Sequence, residues 1–188
     1  MVDPYGLAVR VLPPLLYGPK HAYSQPLTGS GTEDSVARAT PEMLSTFHRT
    51  WFKPNNATLM AVGDITMEEL KPRLEAVFGR WAPGTTPVKP AEPGASRTKP
   101  TIYILDRPRA EQSILFAGQL VPPKTHADDV PFEAFNDAFG YAFGSRINMN
   151  LREDKHWSYG AFSFTFNSRG DRMWVAMAPV QADKTAEA

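Results

Sequence analysis

Apolar residues recur along this chain at two spacings, and the changes between them mark its elements. Residues 1–31 show neither spacing, are rich in Pro, Gly and Tyr, and read as extended or looped chain. A short helical turn is expected near 33–38. Helical spacing then begins in earnest. Thr40 is a capping residue, Pro41 suits the first helical position, and Glu42 favours the positive end of the helix. Met43, Leu44, Phe47 and Trp51 follow at helical intervals, and Lys53-Pro54 ends the run. Ala57-Thr58-Leu59-Met60-Ala61-Val62 is a short apolar run between Asn55-Asn56 and Gly63-Asp64, which predicts a buried strand. Thr66 and Glu69 have the spacing of a capping box, and Leu70, Leu74, Val77 and Phe78 line one face of a second helix. Pro72 falls early in that helix, where a missing donor does little harm.

Residues 82–100 are rich in proline and poor in hydrophobic side chains. A structureless stretch of this length is uncommon inside a compact domain, so it reads as a linker at a domain boundary. Beyond it, residues 101–105 and 112–118 read as neighbouring strands joined through Asp106-Arg107-Pro108-Arg109. Phe132, Phe135, Phe139, Phe143, Ile147 and Leu151 then step by three and four, which predicts one helical stripe over about 130–152. Gly140 and Gly144 weaken this helix and can break it in two. Residues 159–167 alternate, with Phe162, Phe164 and Phe166 on one face and Tyr159, Ala161, Ser163 and Thr165 on the other. Residues 172–180 are the expected partner strand, closed by the Ser168-Arg169-Gly170-Asp171 turn. Residues 181–188 form a polar tail. The pattern is that of an α+β fold, an antiparallel sheet with packed helices.

Composition narrows the classes of function. Lys plus Arg equals Asp plus Glu, 20 each. No basic surface for nucleic acid or anionic membrane is therefore indicated. Hydrophobic residues make up 42% of the chain. That is enough to bury a core, yet no apolar run approaches the length of a membrane span. The first residues, Met-Val-Asp-Pro-Tyr-Gly, lack the regions of a signal peptide. The absence of cysteine removes disulfides and thiolate metal sites.

Metal ligation has only His21, His48, His126 and His156 to draw on. None forms H-x-x-E-H or H-E-x-x-H. Glu153 and His156 lie three apart, but at a turn between helix and strand, where solvated side chains are the plainer reading. His21 reads as a packed loop residue and His48 as a helix-surface one. No G-x-S-x-G elbow and no phosphate-binding loop is present. Arg152 and Tyr159 are the candidates that remain. Arginine offers a planar fork of donors that fits carbonyl or carboxylate oxygens, and tyrosine a donor on a rigid ring. With one closing a helix and the other opening a strand, both can aim into one cleft. The alternative is a surface pairing of Arg152 with Glu153 or Asp154 while Tyr159 simply packs.

Five segments, in order along nearly the whole chain, resemble the insulinase/pitrilysin family of zinc peptidases. They are His21-Ala22-Tyr23-Ser24-Gln25-Pro26-Leu27-Thr28-Gly29, the stretch Phe47-His48-Arg49-Thr50-Trp51-Phe52-Lys53-Pro54-Asn55-Asn56-Ala57, Val62-Gly63-Asp64-Ile65, Asp106-Arg107-Pro108-Arg109-Ala110-Glu111-Gln112-Ser113, and the run from Arg146 to Gly160. Tyr141-Ala142-Phe143-Gly144 departs from the more glycine-rich run usual in the family, and Asn148-Met149-Asn150 is more polar than in many members. The resemblance implies an insulinase-like α+β fold divided into residues 1–81, the end of one family domain, a linker 82–100, and residues 101–188, the start of the next. It implies a zinc-dependent metalloendopeptidase in which one domain holds zinc through H-x-x-E-H, zinc activates water, and the motif glutamate is the general base. The paired domain supplies an arginine and a tyrosine seven apart that hold the substrate backbone and steady the oxyanion. Arg152 and Tyr159 have that spacing, and the resemblance assigns them substrate binding.

On this reading the chain carries no catalytic residue and binds no zinc itself. The metal belongs to the full-length protein, and the implied partners are a peptide substrate and a catalytic domain or partner subunit. A non-catalytic substrate-binding or scaffold subunit of the same family is the competing reading, and an unrelated α+β binding domain a third. The two halves can pack as one composite domain, since the linker fully extended reaches roughly 60 Å, or exchange between two chains as a homodimer. Exported bacterial relatives lean the resemblance toward the periplasm. The isolated chain is expected to bind no catalytic zinc and to hydrolyse no peptide. A zinc assay paired with peptide hydrolysis checks this, and hydrolysis abolished by a chelator is the contrary result.

Overall fold

The computed structural model describes residues 4–88, 94 and 99–188; the expected linker lies partly outside them, at 89–93 and 95–98. The chain forms two compact units, Glu33–Pro90, and Met1–Thr32 with Ala91–Ala188.

The larger unit is built on three antiparallel strands, β1 (Gln112–Val121), β2 (Phe162–Phe166) and β3 (Arg172–Gln181), in the order β1-β3-β2. The long strand β3 is central. It pairs with β1 from Gln112↔Gln181 to Val121↔Arg172 and with β2 from Phe162↔Met177 to Phe166↔Met173. Because side chains alternate along a strand, β3 feeds two cores. Met173 and Val175, both fully buried, meet Leu16 and Tyr17 on one face, with Leu12, Phe116, Leu120 and Phe166 around them. Ala178 and Val180 meet Leu151 and Ala161 on the other, with Leu115, Ile147 and Trp157.

The first face is covered by a helix where looped chain was expected. Helix α1, Pro4–Tyr17, contains Pro13 and Pro14. An interior proline costs a helix about 3 kcal/mol through a lost hydrogen bond and a ring clash. Two features offset it here. Leu12 and Leu16 sit four apart and pack on the sheet. Full burial of a leucine contributes about 1.5–3 kcal/mol. The Val9 carbonyl, left without its usual partner by Pro13, accepts the Leu27 N–H at 3.3 Å. The helix ends at Gly18, whose φ is 89°. Such a value suits only glycine without strain. Tyr17 donates its hydroxyl to the Asp171 carbonyl at 2.9 Å, and burial raises its pKa above the ordinary 10.0.

On the second face, helix α5 (Asp129–Asn136) is tied to the start of β3 by Arg172, which is 1% exposed. Its Nε donates to the Pro122 carbonyl at 2.9 Å and its Nη1 to Glu133 at 3.2 Å, while Nη2 lies 2.7 Å from Asp129. The strand expected over 159–167 is shorter, Phe162–Phe166, so Tyr159 does not open it but lies three residues before it; the alternation persists, with the small-residue face the more buried one. Ala161 and Ser163 are inaccessible, while Phe162 is 41% exposed.

The smaller unit holds α2 (Glu33–Ala37), α3 (Pro41–Trp51) and α4 (Met67–Phe78). Their starts follow the expected chemistry. Thr40 accepts the Met43 N–H at 3.3 Å, and Thr66 and Glu69 form both bonds of the capping box. The side chain of Asn55 brackets the Gly84 backbone through two bonds of 2.9 and 3.0 Å. The expected strand at 57–62 is not formed. Leu59, Met60 and Val62 are exposed, and among the described residues nothing pairs with this run. The run 101–105 likewise joins no ladder, and Ile102 and Ile104 are each 88% exposed. Strand β1 pairs instead with β3, which offers ten residues of register against five. A strand depends on a partner distant in sequence, and β-propensity cannot supply one. No helix among the described residues is long and apolar enough to cross a membrane.

Arg172→Ala removes the cation that pairs with both Asp129 and Glu133 and should destabilise the fold. Loss of one partner of a buried pair costs about 3–5 kcal/mol, with the lower end expected because Glu133 is half-exposed. Urea denaturation of the two proteins measures the difference.

Candidate functional site

The aromatic stripe expected as one helix is broken where its glycines fall. Helix α5 continues into a π turn, Asp137–Tyr141; residues 142–145 then leave the helix, and the short helix α6, Arg146–Asn148, continues into a second π turn, Met149–Asp154. A π turn holds an extra residue and shifts the phase of everything after it. The stripe is divided accordingly. Phe135 and Phe139 stack at 5.4 Å and pack around Trp174, Ile147 and Leu151 join the sheet core, and Phe143 is left 62% exposed.

Gly140 has a packing reason. A Cβ there would lie 2.4 Å from Ser163 Oγ and 2.7 Å from Ile147 Cδ1, so the π turn crosses β2 closer than any side chain allows. Ser163 Oγ donates to Asn136 Oδ1 at 2.7 Å, and Trp174 Nε1 donates to the same oxygen at 2.7 Å. Around Gly144, by contrast, the space is open.

The turn from Arg152 to Tyr159 is stitched tightly. The Leu151 carbonyl accepts the N–H groups of Trp157 and Ser158 at 2.9 and 3.2 Å. His156 takes a φ of 56°. This left-handed value is uncommon for a residue with a side chain. The His156 Nδ1 lies 3.0 Å from the Arg152 carbonyl, an oxygen that can only accept. Ser158 Oγ lies 2.5 Å from the Pro179 carbonyl, and the Trp157 carbonyl accepts the Gln181 N–H at 3.0 Å, fixing the turn to β3.

These contacts bring the two candidate residues together. The Arg152 guanidinium carbon lies 5.1 Å from the Tyr159 ring centroid and 4.7 Å from that of Phe143. Arg152 Nε also lies 3.3 Å from Glu153, so the surface ion pair and the aromatic contact coexist. Tyr159 is 85% exposed. Among the described residues no hydrogen bond engages Nη1 or Nη2 of Arg152. Rings lying over a guanidinium attract it through their negative faces and leave its edge donors for an oxygen-bearing ligand.

Two residues of this site carried weaker signals. Phe143 read only as part of the apolar stripe. Asn148 is fully buried, a polar residue on the inward side between Ile147 and Leu151. That position, where an apolar residue is expected, is the signal that could have found it.

No metal site assembles among the described residues, where no three His, Asp or Glu side chains converge. Glu153 is held by Arg152 and His156 by the Arg152 carbonyl. His21 caps the turn Ala22–Ser24 and stacks on Tyr17 at 4.8 Å, His48 stacks on Phe52 at 4.7 Å, and His126 accepts the Asp128 N–H at 3.2 Å. These residues do not fit a zinc ion.

The family model of the peptidase M16 inactive domain matches residues 38–188. The chain belongs to the peptidase M16 family, the insulinase family of the sequence resemblance. A 39-residue segment is 46% identical to the probable zinc protease PqqL of Escherichia coli (strain K12), covering 21% of this chain and 4% of that protein. The fold is similar to a peptidase M16 inactive domain from Pseudomonas fluorescens, with a TM-score of 0.84 at 23% identity over 98% of this chain and 43% of that one. It is also similar to a protease from Helicobacter pylori, with a TM-score of 0.70 at 18% identity over 80% of this chain and 37% of that one. The chain thus spans less than half the length of either solved relative. The α+β insulinase-like architecture expected from sequence is the one these relatives share.

Gly140→Ala should destabilise the fold by about 1–3 kcal/mol through overpacking against Ser163 and Ile147. Gly144→Ala, with nothing to meet, should be neutral or stabilise by up to about 1 kcal/mol by restricting the unfolded chain. Thermal unfolding of the pair tests both signs.

Proposed function

We propose that this chain is the substrate-holding, non-catalytic part of a zinc-dependent metalloendopeptidase, and that Arg152 and Tyr159 bind the backbone of an extended peptide. The observation that carries the reading is the placement of the Arg152 guanidinium against the exposed Tyr159 ring, in a chain whose family is a peptidase family. The terminal donors of Arg152, which make no hydrogen bond among the described residues, suit a peptide carbonyl or a terminal carboxylate, and the Tyr159 hydroxyl adds a second donor from a ring held by the turn. Zinc and the water it activates belong, in this reading, to another domain or to a partner subunit, because the histidines and carboxylates described here are dispersed. The similarity to a probable zinc protease of E. coli supports zinc in relatives.

A scaffold subunit that never touches substrate is the second reading. It is favoured by the match to an inactive domain and by the absence of a ligand cluster among the described residues. The two readings part at Arg152. In the intact peptidase, Arg152→Ala should lower kcat/KM for an extended peptide about 10–100-fold, the scale of a lost hydrogen bond from a charged donor. Tyr159→Phe should lower it about threefold to tenfold, the scale of a neutral bond. Unchanged kcat/KM in both variants, with the fold intact, returns the scaffold reading.

A further inference from the structure

The cluster of Phe143, Arg152 and Tyr159 is assembled from three pieces of chain: the break at 142–145, the second π turn, and the residues entering β2. One buried side chain joins all three. Asn148 closes α6 directly before that π turn. Its Nδ2 donates to the Phe143 carbonyl at 2.6 Å, and its Oδ1 accepts the Ala161 N–H at 3.1 Å. Arg152 follows Asn148 by four residues, and Tyr159 precedes Ala161 by two. The backbone under each ring is therefore pinned to the turn that carries the guanidinium.

The chemistry of the position is narrow. The two backbone groups have opposite polarity, so the side chain between them must donate at one end and accept at the other, which a short amide does. Aspartate has nearly the same shape and keeps the acceptor for Ala161, but loses the donor and sets a carboxylate against the Phe143 carbonyl. Leucine fills similar volume and leaves both groups unpaired. Ala161 and Asn148 are both buried, so water cannot replace the bond between them without opening the core, while the bond to Phe143 is only partly buried.

We infer that Asn148 is the positioning residue of the peptide grip: through Phe143 and Ala161 it sets where the two rings stand about the Arg152 guanidinium. This rests on the reading of Arg152 and Tyr159 given above. Asn148 touches no substrate. It acts through the rings, and its loss should weaken binding in the folded protein as well as lowering stability.

The test is a double-mutant cycle on the intact protein, reading the affinity for a fluorescently labelled extended peptide by anisotropy, with the folded fraction fixed by circular dichroism. Arg152→Ala should weaken binding about tenfold or more. Asn148→Leu should weaken it by a comparable factor, and the double variant should bind no more weakly than Arg152→Ala alone, since residues acting through one interaction are non-additive. A residue that only supports the fold would lower the melting temperature, leave the affinity of the folded protein unchanged, and add nothing to the cycle. Folded Asn148 variants that bind as wild type, beside a weakened Arg152→Ala, overturn the positioning role and leave the grip standing. Arg152→Ala binding as wild type overturns the grip, and the positioning role falls with it. If Asn148→Leu does not fold, the nearly isosteric Asn148→Asp, which keeps the Ala161 bond, is judged by the same two criteria, with loss of the Phe143 bond and repulsion from that carbonyl as the expected cause of weakening.

Discussion

The larger unit depends on β3 being buried on both faces. A strand with one wet face tolerates polar residues at every second position, but this one cannot. Met173 and Val175 face α1, and Ala178 and Val180 face the α5–α6 side. The one charged side chain at its buried end, Arg172, is admitted because the Pro122 carbonyl and the Glu133 carboxylate accept from it and the Asp129 carboxylate pairs with its charge. Everything that shapes the site leans on this strand. The turn of residues 155–158 is fastened to its far end at Pro179 and Gln181, and Gly140 passes over the neighbouring β2.

How much was legible in the sequence follows the range of the interactions involved. Helix starts are decided within four residues, so the Thr40 cap and the Thr66–Glu69 box could be read directly and are found as read. The hairpin of β2 and β3 is nearly as local. Sheet partners are not. The runs 57–62 and 101–105 have the composition of strands, yet β1 takes β3 across a long stretch of chain, and those runs join no ladder among the described residues. Helix α1 was missed for the opposite reason. Two prolines argue against a helix locally, and only the distant sheet, with the Leu27 N–H filling the vacant Val9 carbonyl, reverses the balance.

The site divides in the same way. The sequence reads Arg152 as closing a helix and Tyr159 as opening a strand across a short turn, and the structure brings the two within contact, with Tyr159 ahead of β2 instead of in it. What holds them there was hidden, because it is made of backbone geometry and a long-range bond. Neither the two π turns nor the left-handed His156 has a composition to recognise. Asn148 bonds to a loop five residues before it and, thirteen after, to the residue that leads into β2, and only the second of these needs the fold to exist.

Two arginines show why burial decides role where residue type cannot. Arg172 and Arg152 offer the same planar fork, and each lies over a phenylalanine ring, Phe132 at 5.8 Å and Phe143 at 4.7 Å. In Arg172 each of the three nitrogens has a protein oxygen within 3.2 Å and the side chain is buried, so it is not presented to a ligand, and the residue holds α5 to the sheet. In Arg152 a single carboxylate approaches Nε, and the rings of Phe143 and Tyr159 take the faces of the cation and leave its edge. Rings hold a guanidinium in place without using its hydrogen-bond donors, whereas carboxylates hold it by using them. The grip proposed for Arg152 requires a cation fixed in position while its donors stay available, and the aromatic arrangement is compatible with both demands. The acidic arrangement around Arg172 meets only the first.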